Sequence, residues 1–187
     1  MRMDINVDER MFIEVQRKLG RFHHKAPNAL SNALNRAASN INKNVKKEVR
    51  KEYHIKAKDV GSTLKVSKAN RSNLGAEVRS KGELIPLDRF KVSPKTVNPK
   101  RKSPIKIAVK RDGLKKVMEA FVADINGKKV FERTGDSRLP IRRLFGPSVP
   151  QMIGNEAVHE EIHEKGLETY HERINHEINR ILERGRS

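Results

Sequence analysis

His159-Glu160-Glu161-Ile162-His163 has the His-Glu-x-x-His spacing of zinc-dependent hydrolases. On a helix that spacing places both imidazoles on one face, as a shared metal would require. Gly166 even falls where the extended metzincin pattern has a glycine. The third ligand of that pattern would be residue 169, and Thr169 offers a neutral hydroxyl in place of an imidazole. The helix is expected to continue past Gly166, so His171, His176 and Glu177 lie further along the same rod and do not converge on the first pair. A catalytic zinc needs three converging protein ligands and an open position; two are found here. An exposed helix also lacks the walled cleft a hydrolase needs. The run therefore reads as a solvated Glu/His face, with adventitious divalent-metal binding as the weaker alternative.

Other reactive types are no better placed. His23 and His24 are adjacent and diverge on a helix end. Ser148 lies in Gly-Pro-Ser-Val-Pro, whose prolines oppose the strand-turn-helix geometry of a nucleophile elbow. The glycines are scattered singly, with no phosphate-cradling Gly-x-x-x-x-Gly-Lys. There is no cysteine, which removes disulfides, thiol chemistry and cysteine-ligated zinc. No enzyme, cofactor or metal site is expected.

The histidines would ride on a helix running from after Pro150 to about Arg184. Its narrow apolar stripe is Val158, Ile162, Tyr170, Ile174, Ile178 and Ile181, interrupted by Gly166. Such a stripe needs one neighbour, either the long first helix or another subunit's copy. At the other end, Met3, Ile5 and Val7 alternate as a short strand. Asp8 can cap a helix with Met11, Phe12, Val15, Leu19 and Phe22 on its apolar side, weakened at Gly20. Pro27 suits the first turn of a second helix reaching about Tyr53, with Ala29, Leu30, Ala33, Leu34, Ala37, Ile41, Val45 and Val49 at steps of three or four. At about 1.5 Å per residue it is a rod of roughly 40 Å.

From Thr63 the period becomes two. Leu64 and Val66 pair with Ala76 and Val78 across Asn70-Arg71-Ser72-Asn73. Residues 89–103 hold six basic residues, two prolines and only Phe90, Val92 and Val97 as apolar anchors, and are expected as an exposed, mobile basic loop. Strands at 104–111, 117–125 and 128–133 follow as an antiparallel meander, the second buried on both faces, the last pair joined by Asn126-Gly127. The fold class is α+β: long N-terminal helices, antiparallel hairpins and a meander, and a long C-terminal helix. Residues 1–150 form the α+β domain and 151–187 a helical extension.

Composition narrows the role. Apolar residues are 35% of the 187, below the usual share of about 45–50%. A thin core in a periodic chain favours a homo-oligomer in which neighbours complete the burial. No apolar run approaches the roughly 18 residues of a membrane span, and the N-terminal residues carry no signal-peptide pattern. The net charge of +18 falls entirely in residues 1–120, with 30 Lys/Arg against 12 Asp/Glu; residues 121–187 hold 11 of each. Lys95, Lys100, Arg101, Lys102, Lys106, Lys110 and Arg111 are the candidate contacts for duplex DNA or an acidic partner. Almost no aromatics interleave with them, so any DNA contact is with the backbone, without sequence preference. A solvated charge run is the plain alternative.

The run from Leu139 to Met152, Leu-Pro-Ile-Arg-Arg-Leu-Phe-Gly-Pro-Ser-Val-Pro-Gln-Met, is the most distinctive segment. Its prolines exclude an internal helix or central strand. Its apolar side chains, each worth roughly 1.5–3 kcal/mol when buried, exclude a solvated linker. Leu139, Pro140, Ile141, Leu144, Phe145, Gly146, Pro147, Val149, Pro150 and Met152 are therefore a candidate assembly element, docking on the chain's own domain or on another subunit. The same run resembles the signature of the prophage minor tail protein Z family, tail-completion proteins of long-tailed phages. The length, the hairpin running into Phe131-Glu132-Arg133 and the helical C-terminus agree with it. The resemblance implies a structural, non-catalytic virion protein at the proximal end of the tail, made in the host cytoplasm. Its partners would be other tail or neck proteins and further copies of itself, with duplex DNA nearby and no membrane. A cytoplasmic protein binding nucleic acid without sequence preference is the alternative that charge alone would support.

Overall fold

The computed structural model describes residues 1–185. Strand β1 (Arg2–Asn6) is followed two residues on by Asp8, whose carboxylate accepts the Met11 N–H at 2.7 Å and caps α1 (Glu9–Leu19). A side-chain acceptor there satisfies one of the amides that a helix start leaves unpaired. A 3-10 turn, Gly20–Lys25, leads into α2 (Ala26–Glu52), with Pro27 in its first turn. Every apolar position expected on this rod is buried, from Ala29 to Val49. Five of its buried residues are alanines, Ala26, Ala29, Ala33, Ala37 and Ala38, which let neighbouring elements approach closely.

After α3 (Ala57–Gly61), strands β2 (Leu64–Ser67) and β3 (Gly75–Ser80) form the expected hairpin. β1 adds on the far side of β3, giving the antiparallel order β1-β3-β2, with Ile5 opposite Ala76 and Val66 opposite Val78. Next come β4 (Leu84–Pro86), a 3-10 turn Leu87–Arg89, β5 (Lys91–Ser93), β6 (Ile105–Ala108) and β7 (Lys115–Val117). The remaining strands are β8 (Ala120–Asp124), β9 (Lys128–Arg133), β10 (Ile141–Arg143) and β11 (Phe145–Ser148). Two helices, α4 (Val149–Ile153) and α5 (Glu156–Arg184), close the described chain.

The pairing corrects the expected meander. β6 joins β5 and β7, whereas β8 joins β9 and β10 in a separate sheet. The run 117–125 is not one strand, because the chain turns between Val117 and Ala120 with Glu119 at φ 62°. The hairpin at Asn126-Gly127 is present as expected, with Asn126 at φ 52° and Gly127 at φ 99°. The basic loop is also shorter than expected. Phe90 is buried in the core, Val92 packs against that core, and Lys91–Ser93 is paired; the exposed stretch starts at Pro94. Phe90 finds room because Gly146 has no side chain, and a Cβ there would sit 2.9 Å from the Phe90 ring.

α5 runs antiparallel along α2, with Lys165 beside Glu48 and Glu177 beside Asn32. Its stripe of Val158, Ile162, Tyr170, Ile174, Ile178 and Ile181 is buried, and α2 is the neighbour it meets. Gly166 does not interrupt the helix. It belongs to the buried stripe, where the helix passes closest to Ile41. The helical run after the proline segment begins at Val149, one residue before Pro150, and is broken at Gly154 before α5 starts.

Candidate functional site

The proline-rich segment is divided between the chain's interior and its surface. Ile141–Arg143 pairs with β9 at the edge of its sheet, and Phe145–Ser148 pairs with β4 through a bulge at Gly146/Ser148. Edge positions are where proline-rich strands are tolerated. Leu144 donates its N–H to Val130 O at 3.0 Å and accepts from Leu87 N–H at 3.0 Å, stitching the two sheets together. Ser148 and Gln151 form a capping box at the start of α4, which aims Val149 and Met152 into the core. Arg143 holds Asp88 through three N–H contacts of 2.8–3.2 Å, fixing the segment to the turn after β4. What remains open is Leu139, 66% exposed, and Phe145, 48% exposed. Pro140, Ile141, Gly146, Pro147 and Pro150 lie between these extremes or at the surface.

The seven basic residues do not share one environment. Lys110 Nζ lies 3.3 Å from Glu52 and over the Tyr53 ring, and Glu52 keeps its ammonium above the usual lysine range. Arg111 donates through Nε to Arg50 O at 2.8 Å. Both therefore serve the C-terminal end of α2, where cations complement the negative end of the helix dipole. Lys95 donates to Asp88 O at 2.9 Å and Arg101 to Thr96 Oγ1 at 2.8 Å. Lys100, Lys102 and Lys106 are exposed and have no side-chain partner among the described residues. Lys106 stands directly across the sheet from Lys116. Like charges placed so oppose folding, which leaves an unneutralised cationic pair for an anionic surface to meet.

The histidine pair keeps its helical geometry. The His159 and His163 rings stack with centroids 6.2 Å apart, and α5 continues straight through Gly166. Glu161 turns away to Lys165, which holds its carboxyl below the usual range; Lys165 is in turn 3.0 Å from Glu48. No group of three His, Asp or Glu able to hold a metal ion occurs among the described residues. His23 and His24 lie in the 3-10 turn with rings nearly perpendicular.

One exposed feature escaped the sequence reading. Phe121 lies on the outer face of β8, against Phe131 at 6.3 Å between centroids, with Arg133 over its ring at 5.5 Å. Met118 beside it is 70% exposed. A continuous apolar run suggests a strand buried on both faces; here Ala120 and Val122 face the core, and the other face, with Phe121 and Ala123, is half-buried. No helix among the described residues is long and apolar enough to cross a membrane.

A family model described as prophage minor tail protein Z (GPZ) matches residues 14–185, which takes in α2, every strand but β1, the proline-rich segment and α5. No curated protein and no solved structure matches the chain.

Proposed function

Since the chain belongs to the prophage minor tail protein Z family, and so to the structural proteins of phage tails, we propose that it completes the tail and joins it to the head. In this reading several copies sit at the proximal end of the tail, close to the path of the DNA. The work is done by binding, not by catalysis. The match across residues 14–185 carries the reading. Two features of the surface support it. Leu139 and Phe145 remain open on a segment otherwise fastened to the body, giving neighbouring tail proteins or further copies an apolar hold. Lys100, Lys102 and Lys106 remain unneutralised, as a surface near DNA or an acidic partner requires.

Electron microscopy of particles assembled with and without the protein tests this. Loss of the protein is expected to give tails of altered length or tails that fail to join heads. Particles of normal length and normal joining would overturn it.

A further inference from the structure

We propose that the open edge of β8 is a strand-addition site for an extended, acidic segment of a neighbouring tail protein. This rests on the reading of the chain as a tail component and names the chemistry of one of its partners.

β8 ends its sheet, in the order β10-β9-β8, so one side of its backbone has no partner strand among the described residues. An uncovered edge is a template for another chain. Ala120, Phe121, Val122 and Ala123 of β8 all line one cavity of about 450 Å³, with Met118 and Glu119 of the preceding turn, although alternate residues of a strand point to opposite faces. Only a cavity running along the strand's edge can touch both sets. Its far wall is the exposed loop, from Thr96 to Pro104. A second hollow, of about 790 Å³, shares Phe121, Ala123, Arg133 and Arg138 with the first and continues to Ile125 and Leu139.

The lining specifies the occupant. Val97, Met118, Ile125 and Leu139 are four of the large apolar side chains this surface exposes, and all four border the two hollows. Apolar patches of this kind mark interaction sites. The charged residues around them are Arg101, Lys102, Arg133 and Arg138, opposed by Glu119 alone. Duplex DNA would satisfy the cations and leave the apolar floor uncovered. A second copy would bring the same positive walls against each other. A strand with apolar and carboxylate side chains meets every requirement: main-chain bonds to β8, apolar contacts to Phe121 and Leu139, and charge-assisted bonds to the arginines.

The test places a photo-crosslinking amino acid at Met118 or Leu139 of the full chain, with Leu167 on α5 as the control, and assembles each into phage particles. Crosslinks are mapped by mass spectrometry. The expected result is that Met118 and Leu139, and not Leu167, join one acidic segment of one tail protein. The double variant Arg133→Glu/Arg138→Glu, shown to be folded by circular dichroism, is expected to lower that yield at least tenfold. Crosslinks only to DNA, only to a second copy, or to nothing in particles that contain the protein would overturn strand addition and leave the tail reading intact. Absence of the unsubstituted protein from particles would overturn both.

Discussion

Gly166 and Ile41 meet where α5 crosses α2, so closely that a Cβ on Gly166 would lie 2.8 Å from both Cγ1 and Cδ1 of Ile41. The contact sits in the middle of the buried stripe and sets how near the two long helices come.

Gly166→Ala is therefore expected to destabilise the fold even though alanine is the better helix former. The helix gains about 1 kcal/mol from the substitution. Overpacking a filled core costs about 1–3 kcal/mol. The second term wins, because Cγ1 of Ile41 is no loose side-chain end. Urea unfolding should show a net loss of up to about 2 kcal/mol, and adding Ile41→Val should recover part of it. A Gly166→Ala protein more stable than the parent would show that the helices can separate freely.

The core and surface halves of the proline-rich segment should separate in mutants. Met152→Ala removes a fully buried side chain and is expected to cost roughly 2–5 kcal/mol, measured by denaturant unfolding. Leu139→Asp and Phe145→Asp should leave the melting temperature within a few degrees of the parent and abolish incorporation into tails. Normal incorporation of both would remove these two side chains from any subunit contact.

Tyr170 predicts the behaviour at high pH. Its hydroxyl is buried without a partner among the described residues, and burial pushes its ionisation up to about 12. Burial also raises Tyr53. A group whose folded pKa is raised contributes stability in full below its unfolded value of about 10 and loses it as pH climbs towards 12. Absorbance at 295 nm should show less phenolate in the folded protein at pH 10 than in the unfolded chain, then ionisation of Tyr170 and loss of structure together as the pH climbs towards 12. Tyr170→Phe should melt no lower than the parent at pH 7, since it deletes an unpaired buried hydroxyl.

The two kinds of lysine should also part company. Replacing Lys100, Lys102 and Lys106 with Gln is expected to lower the slope of log DNA affinity against log salt by up to about 0.9 per lysine, with folding unchanged. Lys110→Gln should instead lower thermal stability, because its ammonium holds Glu52 at the end of α2. An unchanged salt slope in the triple variant would exclude those three from phosphate contact.

Local features were readable from residues alone, and long-range pairings were not. Asp8 as a cap, Pro27 in a first turn, Asn126-Gly127 as a hairpin and the stripe from Val158 to Ile181 each depend on neighbours a few positions away. Ile105–Ala108, by contrast, pairs with Lys91–Ser93 across the exposed loop, a choice no local period encodes. The turn at Met118-Glu119 carries no glycine or asparagine to announce it. Phe90 looked unable to bury itself because its cover, Gly146, lies 56 positions away. The candidate surface was legible in the same measure: the segment from Leu139 to Met152 stood out by composition, yet only the fold separates Val149 and Met152 inside from Leu139 and Phe145 outside.

The antiparallel clasp of α2 and α5 has a practical consequence for imaging. The 27 residues of α2 separate its ends by roughly 40 Å. Gly185 is tied back to Arg21 at the pole where α2 begins, by a 2.8 Å bond, whereas Lys110 and Arg111 are fastened at the pole where it ends. The sequence has no cysteine, so a single thiol introduced at Arg184 or at Arg111 can carry a gold or fluorescent marker without competition. Two such markers give the molecule a head and a foot, and with them the direction in which each copy points within a particle.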